Sequence, residues 1–428
     1  MEEEPGRVDC AWEAAGAFAA ALLVRGALAV ALGPVTPIGD DQRDYLGLRT
    51  AIHARHAFLD PTTHLATAFR DPGYPVFLSL LGPSLGAVWM TQALLAAATG
   101  ALLVAASAGA GRMVARTTAI LFVLHLSFAS YTFFAYTESL GAFSLAVLLW
   151  SLSTVRERSA PGALALGALA AGASLLTRFS SLLSLAGVGL TAAAGSRSHR
   201  GSWIAAALLA LLPIGLWCVR NEIRVGRFTP NTNGAVNLYL GNNIHTPLVY
   251  AYRAMNDSAA WAPLLPLGET ARADEALRRV TAYASRQPGR MLLGMVMRIP
   301  DALESDRILL GVARRGQFPQ RPPRLLLVIA GVVLFVTLVP TTLAVACAIN
   351  PPDHWLAHAG RWALIGTVLT QAITIAHSRF TLLAWLALLP GAAITWERLR
   401  SGDRATRNAV FVSTAVVFAL LVRQWRLA

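Results

Sequence analysis

Runs of about twenty apolar residues recur along this chain, and they restrict its fold more than any other feature. A backbone inside a bilayer has no water to bond, so only helices or closed barrels satisfy its amides there. A helix needs about 20 mostly apolar residues to cross. Candidate spans lie near 14–33, 87–110, 117–135, 138–154, 162–177, 179–195, 202–219, 325–349, 361–377, 380–396 and 409–422. The composition agrees: the 428 residues are 55% hydrophobic and only 14% charged, against about a quarter charged in soluble domains. The expected class is an all-α polytopic membrane protein of about 11 transmembrane helices. Pro213, Pro340 and Pro390 fall within spans and are expected to kink them.

All 36 basic residues are Arg, and the formal net charge is +13. Most of these arginines flank apolar segments, where they orient helices and meet lipid phosphates. Membrane lipids, not nucleic acid, are therefore the expected partners of the charge. Arg112, Arg116, Arg156, Arg158, Arg197, Arg200, Arg398, Arg400, Arg404 and Arg407 gather in the loops of one side, whereas the short loops opposite offer Arg178 and Arg379. The positive-inside rule makes the first side cytoplasmic. Arg43, Arg49, Arg55 and Arg70 of the first loop then fall outside, against the rule. Met-Glu-Glu-Glu at the start lacks a basic leader region, so the first apolar stretch reads as a retained helix. Cys10, Cys218 and Cys347 are far apart, a spacing that suits buried thiols rather than a disulfide framework or zinc site.

Two segments on the outer side exceed mere connectors. The first, 34–83, has Tyr45, Leu48, Ile52 and Leu59 near helical spacing with Arg49, His53 and His56 between them, the pattern of a helix lying in the interface. The second, 220–323, is expected to be a mixed outer insert. It opens with turn-rich sequence through Gly234 and continues with a helix from Glu269 to Arg286. The last helices occupy 324–428, and 1–428 reads as one membrane domain.

The first outer loop starts Gly39-Asp40-Asp41-Gln42-Arg43-Asp44-Tyr45. Its acids serve equally as a helix cap or as a general base for an acceptor hydroxyl. The loop ends in Arg70-Asp-Pro-Gly-Tyr74-Pro75, a rigid re-entry turn with an interfacial Arg and Tyr. Glu138 opens an apolar run, either as a helix-start acid or as a site residue at the membrane boundary. Arg178 and Arg379 each interrupt apolar sequence on the outer side. A lone arginine there ordinarily snorkels; together with Arg70 and Arg220, the pair suits a cationic pocket for phosphate.

These pieces occur in one order: Asp41 four residues before Tyr45, Arg70-Asp-Pro-Gly-Tyr-Pro75, Thr137-Glu138, Leu176-Thr-Arg178, Trp217-x-x-Arg220-Asn221, Gly234-x-x-Asn237-Leu-Tyr239-Leu-Gly241-Asn242-Asn243 and Arg379-Phe380. In that order the chain resembles the GT-C superfamily of membrane glycosyltransferases, most of all its bacterial protein O-mannosyltransferase-like and aminoarabinose-transferase-like branch. It departs from the pattern with Leu216 before the tryptophan, and with Phe after Arg178 and Arg379. The resemblance implies a GT-C fold over nearly all of 14–400 and an inverting transfer of a sugar from a polyprenyl-phosphate donor. The acceptor would be a lipid, glycan or protein on the outer face of a bacterial inner membrane. Asp41 would be the general base, with Asp40 and Asp44 as alternatives, and Glu138 the second acid of the site, where a divalent cation would be the one cofactor. Arg70, Tyr74, Arg178, Arg220, Asn237 and Arg379 would bind substrate. The rival readings are a transporter or flippase of a lipid-linked glycan and a non-catalytic envelope assembly protein. The notable polar groups sit at helix ends and in outer loops rather than at the midplane, which favours an enzyme over a transporter.

Overall fold

The computed structural model describes residues 9–427 other than 34, 38, 159, 197, 305–307, 310, 312–315 and 317; the side chains of Asp40 and 425–427 lie outside the description. Arg197, counted above for orientation, is thus outside the described residues. The described residues are mainly helical, and among them the only strand-like pairing is one antiparallel bridge between Leu59 and Ala66. The helices are α1 Ala11–Leu32, α2 Asp40–Arg55, α3 Gly73–Leu80, α4 Leu85–Ser107, α5 Arg112–Leu124, α6 Leu126–Ser130 and α7 Glu138–Glu157. Then follow α8 Pro161–Thr177, α9 Leu182–Ala194, α10 Arg200–Val225, α11 Asn233–Gly241, α12 Ser258–Trp261, α13 Glu269–Arg286 and α14 Pro288–Leu303. The last four are α15 Pro323–Ile349, α16 Trp355–Ile373, α17 Ser378–Arg400 and α18 Arg404–Leu427.

Among the described residues, seven helices are long and apolar enough to cross a membrane, and the bent pair Arg112–Leu124 with Leu126–Phe133 would make an eighth. Pro161–Thr177 and Phe179–Ala194 are apolar but shorter. Helix length alone therefore gives fewer spans than eleven apolar runs suggest. The expected proline kinks are absent as breaks: Pro213, Pro340 and Pro390 lie within continuous helices. The sharp bend, 53°, falls at His125 instead.

Burial sorts the helices into a centre and a rim. The apolar windows of α7 and α17 are 78% and 72% buried, whereas that of α10 is 11% buried. The rim helix shows Ile204, Leu208, Leu212 and Leu216 to its surroundings, as a helix facing lipid should. Around α17 pack α5, α15 and α16, and around α7 pack α4 and α8.

The first segment, expected to lie outside, folds as helix α2 packed on the short α3. Leu59 lies beyond the end of α2. In the insert, the helix expected from Glu269 to Arg286 is α13 with those bounds, while α10 runs past position 220 to Val225. The described part of the insert consists of helices α11 to α14 with turns and loops between them. Two glycines permit close crossings: a Cβ on Gly73 would lie 2.8 Å from Leu176 C, and one on Gly241 only 1.7 Å from Thr374 O. The first brings the re-entry turn against the end of α8. The second seats α11 on the end of α16.

Candidate functional site

Helix direction assembles the site. Glu138 is the first residue of α7, Arg178 caps the far end of α8, Arg379 is the second residue of α17 and Asp41 the second of α2. Up-and-down packing returns all four to one end of the bundle. Asp41 does not cap its helix: Gly39 holds the cap position, and the Asp41 oxygens turn instead to arginines.

Three guanidinium groups and three carboxylates alternate in one chain. Arg70 Nη2 donates to Asp41 Oδ1 and to Asp44 Oδ2, both at 2.7 Å, and Arg70 Nε donates to Asp44 Oδ2 at 3.1 Å. Arg379 Nη2 donates to Asp41 Oδ2 at 2.7 Å, and its Nε lies 3.3 Å from Glu138 Oε1. Arg178 Nη2 donates to Glu138 Oε1 and Thr137 Oγ1, both at 2.7 Å. Glu138 is fully buried, and the arginine side chains are 12–14% exposed. Aromatic faces support the cations: Arg379 lies 4.4 Å from the Tyr136 ring centroid, and Arg70 lies 5.5 Å from that of Tyr45. Buried ions of this kind persist only when paired.

Burial by itself would raise the Asp41 carboxyl, but Arg70 and Arg379 outweigh it and hold Asp41 well below the usual carboxylate range. Arg70 is weakened by burial and more than restored by Asp41, Tyr45 and Asp44, so it stays charged. Two atoms of the cluster have no hydrogen-bond partner among the described residues, the donor Arg178 Nη1 and the acceptor Glu138 Oε2. A divalent cation does not fit the carboxylates as placed. Both Asp41 oxygens and Glu138 Oε1 carry guanidinium donors, and among the described residues no three His, Cys, Asp or Glu side chains are grouped so as to hold a metal ion.

Of the expected site residues, Asp41, Asp44, Glu138, Arg70, Arg178 and Arg379 come together. Tyr74 does not present itself to a ligand. It is buried completely and its hydroxyl donates to Gln92 Oε1 at 2.8 Å. Gln92 in turn donates to Thr132 O and Phe134 O, so Tyr74 braces the segment that delivers Glu138. Arg220 is also committed elsewhere. It donates to Thr67 O at 2.7 Å and Phe58 O at 2.9 Å and lies over the Trp217 ring. It ties α10 to the first outer segment, because buried carbonyls need donors. Asn237 sits half-buried on α11 and makes no hydrogen bond to the cluster. Asp40 opens α2, but its side chain lies outside the description. The amides of Asn242 and Asn243 donate to Leu238 O and Tyr239 O, helix-end carbonyls rather than an open sugar site.

Several participants were not singled out from sequence. Asp71 accepts from Phe179 N at 3.1 Å and from Asn231 Nδ2 at 2.7 Å. It thereby fixes the backbone next to Arg178, and burial pushes its carboxyl up to about 6 against those two bonds. Arg25, within α1, is buried and donates to Thr132 Oγ1 at 3.1 Å; an arginine inside an apolar run was a visible signal for it. Buried Arg298 donates to Ala372 O, Thr374 O and Gly241 O, compensating the ends of α16 and α11. Asp301 and Glu304 receive Arg423. No spacing pattern announces the Arg298 and Arg423 contacts. Two adjoining cavities of about 370 and 590 Å³ share Arg156, Asp353 and Trp355. They lie at the other end of α7 from Glu138, about 30 Å away at 1.5 Å per residue, and are separate from this cluster.

No protein-family model matches the chain, and no curated protein does. A solved structure of the archaeal oligosaccharyltransferase AglB from Archaeoglobus fulgidus, in complex with an inhibitory peptide and a dolichol-phosphate, aligns with a TM-score of 0.47 and 12% identity. The alignment covers 96% of this chain and 55% of that one, so the chain spans about half the length of that protein.

Proposed function

We propose that this chain is an inverting membrane glycosyltransferase of the GT-C type. It moves a sugar from a polyprenyl-phosphate donor to an acceptor hydroxyl on the extracytoplasmic face of a bacterial inner membrane. One observation carries the reading: carboxylates and guanidinium groups from four sequence-distant segments converge at a single end of an apolar bundle. An ion cluster of this kind is costly beside lipid and suits an anionic, membrane-borne substrate. The opposite ends of the same helices carry Arg156, Arg398 and Arg400, which supports an outward-facing cluster by the positive-inside rule. Sugar nucleotides are cytoplasmic, so the donor outside is lipid-linked.

In this reaction Asp41 takes the acceptor proton as the acceptor oxygen attacks the anomeric carbon. Polyprenyl phosphate departs from the opposite face, and the centre inverts. Arg178 and Arg379 stabilise the charge growing on the phosphate, with Arg178 Nη1 the donor still unused. Glu138 holds those two arginines in place. Arg220 and Tyr74 position the scaffold around the cluster.

The test is transfer of a labelled sugar from a synthetic polyprenyl-phosphate donor by purified protein. Transfer is expected from the unaltered chain, with Asp41→Asn lowering the rate about 10²–10⁴-fold, the usual scale for losing a general base, while membrane insertion is kept. Undiminished transfer by Asp41→Asn removes the base assignment. Movement of an intact lipid-linked glycan across vesicles without transfer selects the flippase reading.

A further inference from the structure

Asp41 in the resting site is a poor base, because each of its oxygens receives a guanidinium N–H at 2.7 Å. A base works best when its proton affinity approaches the operating pH, so something must release it before transfer. The two arginines differ in how firmly they are held. Arg70 makes three bonds to α2, two of them to Asp44, and keeps an acidic partner if Asp41 is lost. Arg379 bridges Asp41 Oδ2 at 2.7 Å and Glu138 Oε1 at the longer 3.3 Å. Its guanidinium lies near the Tyr136 and Phe380 rings, 4.4 and 5.1 Å from their centroids. Those faces continue to support the cation if it shifts. Beside it, Arg178 offers a buried Nη1 with no acceptor among the described residues, and Arg178 and Arg379 meet at the same Glu138 oxygen. A phosphate bonded to Arg178 Nη1 therefore lies within reach of Arg379.

We infer that the donor's own phosphate arms the base: it draws Arg379 from Asp41 Oδ2, so donor must bind before acceptor can react. This rests on the glycosyltransferase reading and adds the order of events to it. Charge favours the same order. Three guanidinium groups face three carboxylates, and a phosphodiester adds one negative charge. That charge raises the proton affinity of Asp41 as its partner leaves. The acceptor O–H then gives its proton to Asp41 Oδ2, its oxygen bonds the anomeric carbon, and the carbon–oxygen bond to phosphate breaks with the electron pair kept by phosphate. The net charge of the site is unchanged by the transfer, one negative before and after. An acceptor arriving first meets a carboxylate that already holds a guanidinium N–H on each oxygen.

The experiment needs neither the sugar nor the acceptor. The full chain in detergent is treated with a water-soluble carbodiimide and an amine near pH 6, and carboxyl labelling is read by mass spectrometry with and without polyprenyl monophosphate. Binding of that lipid is followed separately by native mass spectrometry. Labelling of Asp41 is expected to rise several-fold on lipid binding, while that of Asp44, still held by Arg70, stays unchanged. Arg379→Gln should show the high Asp41 labelling without lipid and no further rise. Arg379→Lys, which keeps the charge, should fall between. Bound lipid with Asp41 labelling unchanged or reduced overturns the inference and leaves the glycosyltransferase reading intact. Failure of the lipid to bind at all overturns both.

Discussion

The two ends of the bundle hold the same kinds of side chain and use them differently. At the cluster end, Arg70, Arg178 and Arg379 pair with Asp41, Asp44 and Glu138 while mostly shielded from solvent. At the other end, Arg112 and Arg116 reach Glu13, and Arg400 lies 3.7 Å from Glu397, with those arginines 49–56% exposed. Water and salt screen the arginines of the second set, although Glu13 itself is nearly buried, whereas the arginines of the first sit where charges interact several-fold more strongly. Helix α7 runs from one regime to the other, from Glu138 to Arg156. Charge chemistry alone therefore does not mark a site; shielding does. The exposed end orients helices, and the shielded end can bind an anion and hold a proton acceptor.

Substitutions break or sharpen that contrast. The largest effect on stability is expected from Arg178→Ala, which strips the shorter ion pair from fully buried Glu138. Removing one partner of a buried pair costs about 3–5 kcal/mol, measured as a lowered thermal midpoint in detergent. A loss under ~1 kcal/mol would place the cluster in the same screened regime as the other end.

Asp71 gives the next test through pH. Its carboxyl is raised from an ordinary 3.8 to about 6, first by burial, so the folded state favours the proton. Stability therefore falls as pH rises from about 4 through about 6 and levels off above, since the folded state binds more protons in that window. Asp71→Asn should remove this component from the difference profile. It should also lower stability by about 1–3 kcal/mol, because the amide N–H would face one of the two donors. Subtracting the two profiles isolates Asp71 from Asp301 and Glu304, which burial also raises. A difference profile flat in pH would show that Asp71 is not the titrating group.

The smallest change is expected at the exposed end. Arg400→Ala should alter stability by less than ~1 kcal/mol and leave sugar transfer unaffected, as for other solvent-screened pairs. A larger effect would show that this end too is shielded.

Much of the site was legible because polar residues stand out against apolar runs. Asp41, Glu138, Arg178 and Arg379 each mark an edge where a helix starts or stops, Arg70 lies in the loop before α3, and edges on one side of a bundle face one another. Tyr74 and Arg220 were misleading for the same reason. They lie in the right segments, but their polar atoms satisfy Gln92 and the carbonyls of Phe58 and Thr67, partners that no spacing rule supplies. Arg298 and Arg423 bond groups more than fifty residues away, and nothing local marks them. The bend at His125 has no proline to announce it, while the three interior prolines leave their helices unbroken.

From its sequence alone, this chain was bound to be a helical, multi-pass membrane protein, because long apolar runs with few charges leave no other way to satisfy backbone amides. The tertiary structure decided which arginine meets which carboxylate, and that Asp41 is clasped on both oxygens. Those facts depend on packing between distant segments, where distances of a few ångströms in a shielded place set the strength of every charge.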